Sequence, residues 1–343
     1  MLTVCMPIGS SHGWGICGKN LIKAFSGLGV EHEVFTDQNM RAIDRQNAVI
    51  NCLRGPDFEP SFPVRGTRNV AYGFIESLGT AKLNLGTAEQ WDKIVCGSTW
   101  MRDRLADMGL KHLSVAVQGV DHSIFNEDQR CHDPNVFKVF IGGKLESRKG
   151  QDIAIAAAKV LLQKHSDVKL VLAINNPWPQ SLATIRQSTL IAVPDLSGKM
   201  HDVVERLMAV NGIGQDRWEY VQGGNGDMPG VYGECNVGLF LSRCEGGSNL
   251  VLSEAMATGL PCIVNYATGQ LDAADYDSAI CLTDGKELCD GWVEPCFDSV
   301  VWALEWCYAY RSDAMAIGLR GGRFARRLKW GDTAKELLSA VAA

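Results

Sequence analysis

Apolar positions recur along this chain in two registers. Short continuous runs, at 2–6 (LTVCM), 48–53, 69–75 and 93–96, alternate with stretches whose apolar residues fall three and four apart. The runs read as strands buried on both faces, and the spaced stretches as amphipathic helices. After the strand at 2–6 comes a glycine-rich turn, 9–18. Leu21, Ile22, Phe25 and Leu28 then share one side of a helix over 19–28, which Gly29 ends. HEVFT supplies the next strand and KHLSVAVQ at 111–118 another. The polar segment 126–135, which carries Pro134, reads as a linker.

Beyond it the cycle starts again. A strand at 136–143 ends in Gly-Gly, an alanine-rich helix covers 151–164, and strands follow at 168–174, 218–222, 236–241 and 260–265. Strands alternating with helices predict parallel sheets. A chain of 343 residues exceeds what one core usually serves. The expected fold class is therefore α/β, with two Rossmann-like doubly wound domains, 1–133 and 134–325, facing a central cleft. Ligands of such sheets bind at the carboxyl ends of the strands.

Composition narrows the function classes. A net charge of −6 and a pI near 5.7 argue against a protein that coats nucleic acid, though not against a local basic patch. The opening MLTVCMPIGSSHGWG is not a signal peptide pattern, and no segment approaches the run of about 20 apolar residues that crosses a bilayer. The twelve cysteines form no C-x-x-C pair and mostly sit in apolar segments. They read as reduced, buried thiols of a cytosolic protein rather than a zinc site. The expected location is cytoplasmic, with peripheral membrane attachment left open.

The segment CEGGSNLVLSEAMATGLPCIV, 244–264, carries the strongest chemical signal. A strand runs into a Gly-Gly turn, Ser248 or Asn249 caps a helix over 250–258, and Gly259 and Pro261 stop it. Unpaired N–H groups at such a helix start favour a phosphate. Val251, Leu252, Ala255 and Met256 pack inward and leave Glu254 on another face. A carboxylate there, beside a diphosphate, would be repelled unless it accepts hydrogen bonds from hydroxyls, and a ribose diol offers two. A second segment, GGKLESRKGQD at 142–152, gathers Lys144, Arg148 and Lys149 before a helix. Fixed cations there stabilise a leaving nucleoside diphosphate more than its ground state.

These segments resemble retaining GT-B glycosyltransferases of family four, the group one type. The pair Glu245 and Glu254 resembles the E-x-x-x-x-x-x-x-E region, here one residue longer, as in a subgroup reading EGGTNL. Lys144 stands where the G-R-L-x-x-x-K-G loop has Arg, keeping the charge but losing the bidentate fork, and Lys149 matches the Lys. FIES at 74–77, WDKIVCGSTWMRDRL at 91–105 and GVDHSIF at 119–125 resemble further parts of the acceptor domain and the turn before the linker. LKWGDTAKELL resembles the closing helix, placed within 326–343, which returns to the first domain. The resemblance implies a donor nucleoside-diphosphate sugar in the second domain, an acceptor hydroxyl from the first, retention of configuration, and no cofactor or metal. It implies that Glu254 holds the ribose, that the backbone of Gly246, Gly247, Ser248, Asn249 and Leu250 holds the diphosphate with Lys144, Arg148 and Lys149, and that Glu245 lies near the donor sugar.

Further residues stay open between a functional and a plain structural role. Gly13-x-Gly15-x-x-Gly18 with Asp37 after HEVFT fits a dinucleotide-binding loop as well as a donor loop, which keeps a dehydrogenase reading alive. A nucleotide-sugar epimerase and a non-catalytic sugar-nucleotide-binding subunit stay open beside it. His12 either orients an acceptor hydroxyl or caps a turn. Glu76 follows a strand end that faces the cleft and is a candidate contact to either sugar. Asn175, Asn176 and Trp178 either line the nucleotide site or form a packed turn. Asp275-Tyr276-Asp277 matches a metal-binding D-x-D, but reads as a solvated loop. Lys19 and Lys23 read as solvated helix residues. The acceptor is undetermined: glycan, lipid, protein, small molecule or modified base.

Overall fold

A computed structural model describes residues 1–78 and 83–343. The first half runs β1 (Leu2–Cys5), α1 (Gly13–Gly27), β2 (His32–Phe35), β3 (Ile43–Asp44), β4 (Ala48–Cys52), β5 (Val64–Arg65), β6 (Arg68–Gly73), α2 (Leu85–Ala88), β7 (Lys93–Cys96), α3 (Thr99–Asp107) and β8 (Leu113–Val115). The second half opens with β9 (Phe137–Gly143), α4 (Gln151–Lys164), β10 (Val168–Ile174), α5 (Pro179–Ala183), α6 (Met200–Val210), β11 (Trp218–Tyr220), α7 (Met228–Glu234) and β12 (Val237–Phe240). It closes with α8 (Leu250–Ala257), β13 (Cys262–Asn265), β14 (Ile280–Leu282), β15 (Lys286–Glu287), β16 (Val293–Glu294), α9 (Phe297–Ala309), α10 (Arg311–Ala325) and α11 (Trp330–Ala342).

Two six-stranded parallel sheets result, ordered β2-β1-β4-β6-β7-β8 and β11-β10-β9-β12-β13-β14. The central strands are apolar on both faces: Val4, Ile50, Val70 and Val95 on one face of the first sheet with Val49 and Ile94 on the other, and Val139, Ile141, Leu170 and Leu172 on one face of the second with Phe140 and Val171 on the other, all buried. Each such side chain contributes about 1.5–3 kcal/mol by leaving water. In each sheet the strand order reverses once, between β1 and β4 and between β9 and β12. Chain leaving neighbouring strands in opposite directions opens a crevice there, which is where α/β sheets hold ligands. The loops after β9 and β12 are the two charged segments singled out in the sequence.

One feature departs from the sequence expectation. The helix expected over 19–28 begins earlier, at Gly13, because His12 caps it: its Nδ1 accepts from Gly15 N at 3.0 Å. Gly13, Gly15 and Gly18 are therefore helix residues rather than a loop, and Gly18 is glycine because a Cβ there would stand 2.1 Å from Pro7 O. The segment 126–135, read as a linker, is tied to the second half: Arg130 Nη1 donates to Tyr232 O at 3.0 Å and Cys131 N to Gly233 O at 3.1 Å. Helices α6, α7, α9 and α10 start without a side-chain cap; Pro229 stands in the first turn of α7, and Asp202, Asp298 and Asp313 in the first turns of the other three.

Helix α11 returns to the first sheet, burying Trp330, Ala334, Leu337 and Ala340 in the same core as Leu21, Phe25 and Tyr72. Thr333 Oγ1 donates to Val117 O at 2.7 Å and fixes its start. All twelve cysteines are free and most are buried; burial pushes the Cys17 thiol up to about 12. No described helix is long and apolar enough to cross a membrane.

Gly18→Ala is expected to cost about 1–3 kcal/mol, because the clash is with backbone. Gly331→Ala on α11, where nothing lies within 4 Å of an added Cβ, is expected to be neutral or stabilising by about 0.4–1 kcal/mol. Urea midpoints of the two variants check both.

Candidate active site

The carboxyl ends of both sheets face one cavity of about 1480 Å³. From the first sheet come residues 10–14 after β1, 36–39 after β2, 54–56 after β4 and 74–77 after β6. The second sheet brings the loops after β9, β10, β11 and β12, so one void collects the ends of strands from both halves.

At its centre lies Arg148, nearly buried among three carboxylates. Its Nη2 reaches Glu146 Oε1 at 2.6 Å, and its Nη1 reaches Glu245 Oε2 at 3.1 Å and Glu76 Oε1 at 3.3 Å. Glu76 belongs to the first half and the other two to the second. Burial alone would lower the guanidinium, but Glu76, Glu245 and Glu146 outweigh it and hold Arg148 charged. Lys149 Nζ sits 2.6 Å from Glu245 Oε1, which also accepts from Ser242 Oγ at 2.6 Å. Burial would raise Glu245; Lys149 and Arg148 reverse this and bring it down to about 2. Lys144 is held more loosely, 3.6 Å from Glu146 and 5.0 Å over the Trp178 ring. Burial, then Arg148, lowers its ammonium from the usual lysine range.

The turn after β12 is shaped by the opposite half. A Cβ on Gly246 would come within 2.6 Å of Ile75 N, and one on Gly247 within 2.7 Å of the Phe74 ring. Ser98 Oγ donates to Gly246 O at 2.8 Å. The two glycines therefore have a packing reason the sequence did not show. Asn249 takes φ +60°, caps α8 through Leu252 N, and leaves Leu250 and Val251 on the cavity wall. Gly15, Gly246 and Ser248 lie behind that wall; Ser248 Oγ is buried without a hydrogen-bond partner among the described residues.

Glu254 is not on a free face of its helix but buried, with its carboxylate on the cavity. Desolvation pushes it up to about 8 against the bond that Asn225 Nδ2 donates to its Oε1 at 2.7 Å. Asn225 also crosses the cleft, its N donating to Ser10 O at 3.1 Å. Beside it, His12 meets the Trp178 ring edge-on at 6.4 Å, so His12 both caps α1 and faces the cavity. Two further ties close the halves together: Thr99 N to Asp272 Oδ2 at 2.6 Å, and Trp292 Nε1 to Glu76 O at 2.9 Å.

Some functional-looking residues carry no sequence signal of their own. Arg243 is buried and held by Asp152 through two bonds of 2.9 Å and by Glu294, and it donates to Ser147 O, which fixes the loop carrying Arg148 and Lys149. Asn225 lies in a plain polar turn, where only its tertiary partners distinguish it. Asp275 and Asp277 lie in an exposed turn, Asp275 Oδ1 accepting from Asp277 N at 3.2 Å. Lys23 is an exposed partner of Asp121 at 2.9 Å. One other group of metal-ligand type, His201, Asp202 and Glu205, occurs at the start of α6 among the described residues, largely exposed.

Residues 125–282 match the family model of glycosyl transferases group 1. The whole fold is similar to that of sucrose-phosphate synthase from Thermosynechococcus elongatus (TM-score 0.70, 16% identity, covering 98% of this chain and 97% of that one). A glycosyltransferase from Rickettsia africae gives 0.68 at 12% identity over 99% and 97%. Anabaena HepE, solved with UDP and glucose, gives 0.65 at 13% identity over 100% and 99%. No curated protein matches the chain in sequence. The architecture is thus GT-B, two Rossmann-like domains about a cleft, and the segment that matches the family model carries the loops after β9 and β12.

The G-x-G-x-x-G of the first half forms the start of α1, with Gly13 on the cavity and Gly15 and Gly18 in close packing contacts.

Glu254 sets a pH dependence. Unfolded, it titrates near about 4.3; folded, at about 8. Between these values the native state keeps a proton that the unfolded chain has lost, so this group's contribution falls as pH rises through the window, and the cost of the buried charge is fully present above it. Glu254→Gln is expected to remove that decline. Its urea midpoint should match wild type near pH 5 and exceed it near pH 9; equal midpoints at both would place the carboxyl in a solvated setting.

Proposed function

We propose that this chain moves a sugar from a nucleoside-diphosphate sugar to an acceptor hydroxyl, with retention of configuration and without a metal ion. The observation that carries the reading is Glu254: a buried carboxyl on the cavity wall of a group 1 domain, one turn inside α8, with a single amide partner. A ribose diol supplies the two donors that would let it ionise. The UDP and glucose held by HepE support a uridine donor as the first to try.

In this reading the donor diphosphate lies against Asn249 and Leu250 at the start of α8 and draws Lys149 and Lys144 toward it. The bond from the anomeric carbon to the diphosphate oxygen breaks, the acceptor oxygen bonds to that carbon on the same face, and the acceptor proton passes to the departing diphosphate oxygen. The lysines stabilise the charge that grows on the leaving group. Glu245 stays ionised and positions Lys149. Closure of the two halves keeps water from the donor.

A thermal-shift screen with UDP, GDP, ADP, their sugars and NAD, all in EDTA, tests the donor. One nucleoside diphosphate and its sugars should raise Tm, and Glu254→Ala should abolish the shift. Stabilisation by NAD alone, or only after a divalent metal is restored, would overturn the reading. Lys149→Ala should lower kcat by roughly 10²–10³-fold, the usual effect of removing one charge-stabilising donor, with an unchanged circular dichroism spectrum.

A further inference from the structure

The cavity, at about 1480 Å³, exceeds the roughly 300–1,000 Å³ that holds one drug-sized ligand. A donor against α8 and the loop after β9 leaves the part under the first sheet to a second molecule, and the residues there have a distinct chemistry. Trp14 is half-buried, lines the cavity, and is braced by Phe74 at 4.6 Å and by Tyr72 edge-on at 6.1 Å. Phe74 is the ring that lies over Gly247, so Trp14 stands one residue away from the donor loop. The 36–39 loop, exposed at the end of β2, brings Asp37, Gln38 and Asn39 to the same void. Asp37 spends one oxygen on Asn39 N at 2.9 Å and keeps the other.

We propose that the acceptor is an uncharged carbohydrate, its ring seated on Trp14 and its hydroxyls held by Asp37 and Asn39. This rests on the transferase reading above. A sugar ring is amphipathic: its C–H face suits an indole, while its edge both donates and accepts hydrogen bonds. Vicinal hydroxyls donate to a carboxylate as Asp37 offers it. A hydrocarbon acceptor would make no hydrogen bond to Asp37, Asn39, Ser10 or Ser11, the polar residues that this part of the cavity presents. A phosphorylated acceptor would meet the Asp37 charge, and the nearby Arg54 already gives Nε and Nη2 to Asp57 Oδ2, at 3.2 and 2.6 Å.

The test measures UDP release from UDP-glucose by the full chain, alone and with maltose, cellobiose, sucrose, glucose 6-phosphate or decyl phosphate. Saturation-transfer NMR of the same compounds is recorded on the UDP-loaded protein. At least one neutral disaccharide should show saturation transfer and raise UDP release tenfold or more. Asp37→Asn, an exposed substitution, and Trp14→Ala should each reduce that stimulation at least tenfold, with UDP affinity by calorimetry within twofold of wild type. Stimulation confined to glucose 6-phosphate or decyl phosphate overturns the proposal. So does full stimulation in both variants, or the absence of saturation transfer from the UDP-bound protein to all three neutral disaccharides. Loss of all nucleotide binding in wild type overturns the transferase reading itself, which separates the two failures.

Discussion

The buried Arg148 guanidinium, shared by Glu76, Glu146 and Glu245, is the constraint on which the rest of the cleft depends. Taking four charges out of water is costly, and their mutual attraction repays the cost only when the geometry is complete. Completeness here requires both halves, since Glu76 comes from the end of β6 while the other three come from the loops after β9 and β12. The network thus joins the two sheets at the point where chemistry is proposed. Removing Arg148 would leave the three carboxylates without the cation that lies between them.

The same network explains why the cations are present yet restrained. Lys149 is bonded to Glu245, and Lys144 rests over Trp178 at a distance from Glu146. A diphosphate arriving at α8 would exchange carboxylate partners for phosphate ones, which changes the charge distribution without exposing a bare cation to solvent beforehand. Such preorganised charge is worth more in a dry site than in water. Asn225 links this site to the opposite wall, since one residue bonds both Glu254 and Ser10. A ligand that takes over Glu254 would free the amide of Asn225 while its backbone still held the two halves together.

Much of the architecture was legible along the chain. Runs such as VKLVLAI and the helix at 151–164 keep their expected bounds, because a strand buried on both faces and an alanine-rich helix each follow from local pattern. The helix start at Gly13 was not legible. A glycine-rich stretch reads as a turn until one sees that His12 caps it and that Pro7 passes too close to Gly18 for a side chain. Helices α9 and α10 lack capping side chains, leaving only Asp298 and Asp313 in their first turns as local start signals, and burial of Val300, Ala303, Leu304 and Ala314 in the core stabilises them.

The sequence by itself determined the two α/β cycles, the charged loop at 144–149 and the acid pair around α8, because strand burial, helix period and turn chemistry act over a few residues. Only the tertiary structure decided which charges meet. Glu76 and Glu245 are far apart in the chain yet share one guanidinium, Glu254 becomes a buried carboxyl because the opposite wall and Asn225 close over it, and Gly246 and Gly247 are small because Phe74 and Ile75 lie against them. Desolvation and close packing are set by whatever arrives from elsewhere in the chain, and no local pattern records them.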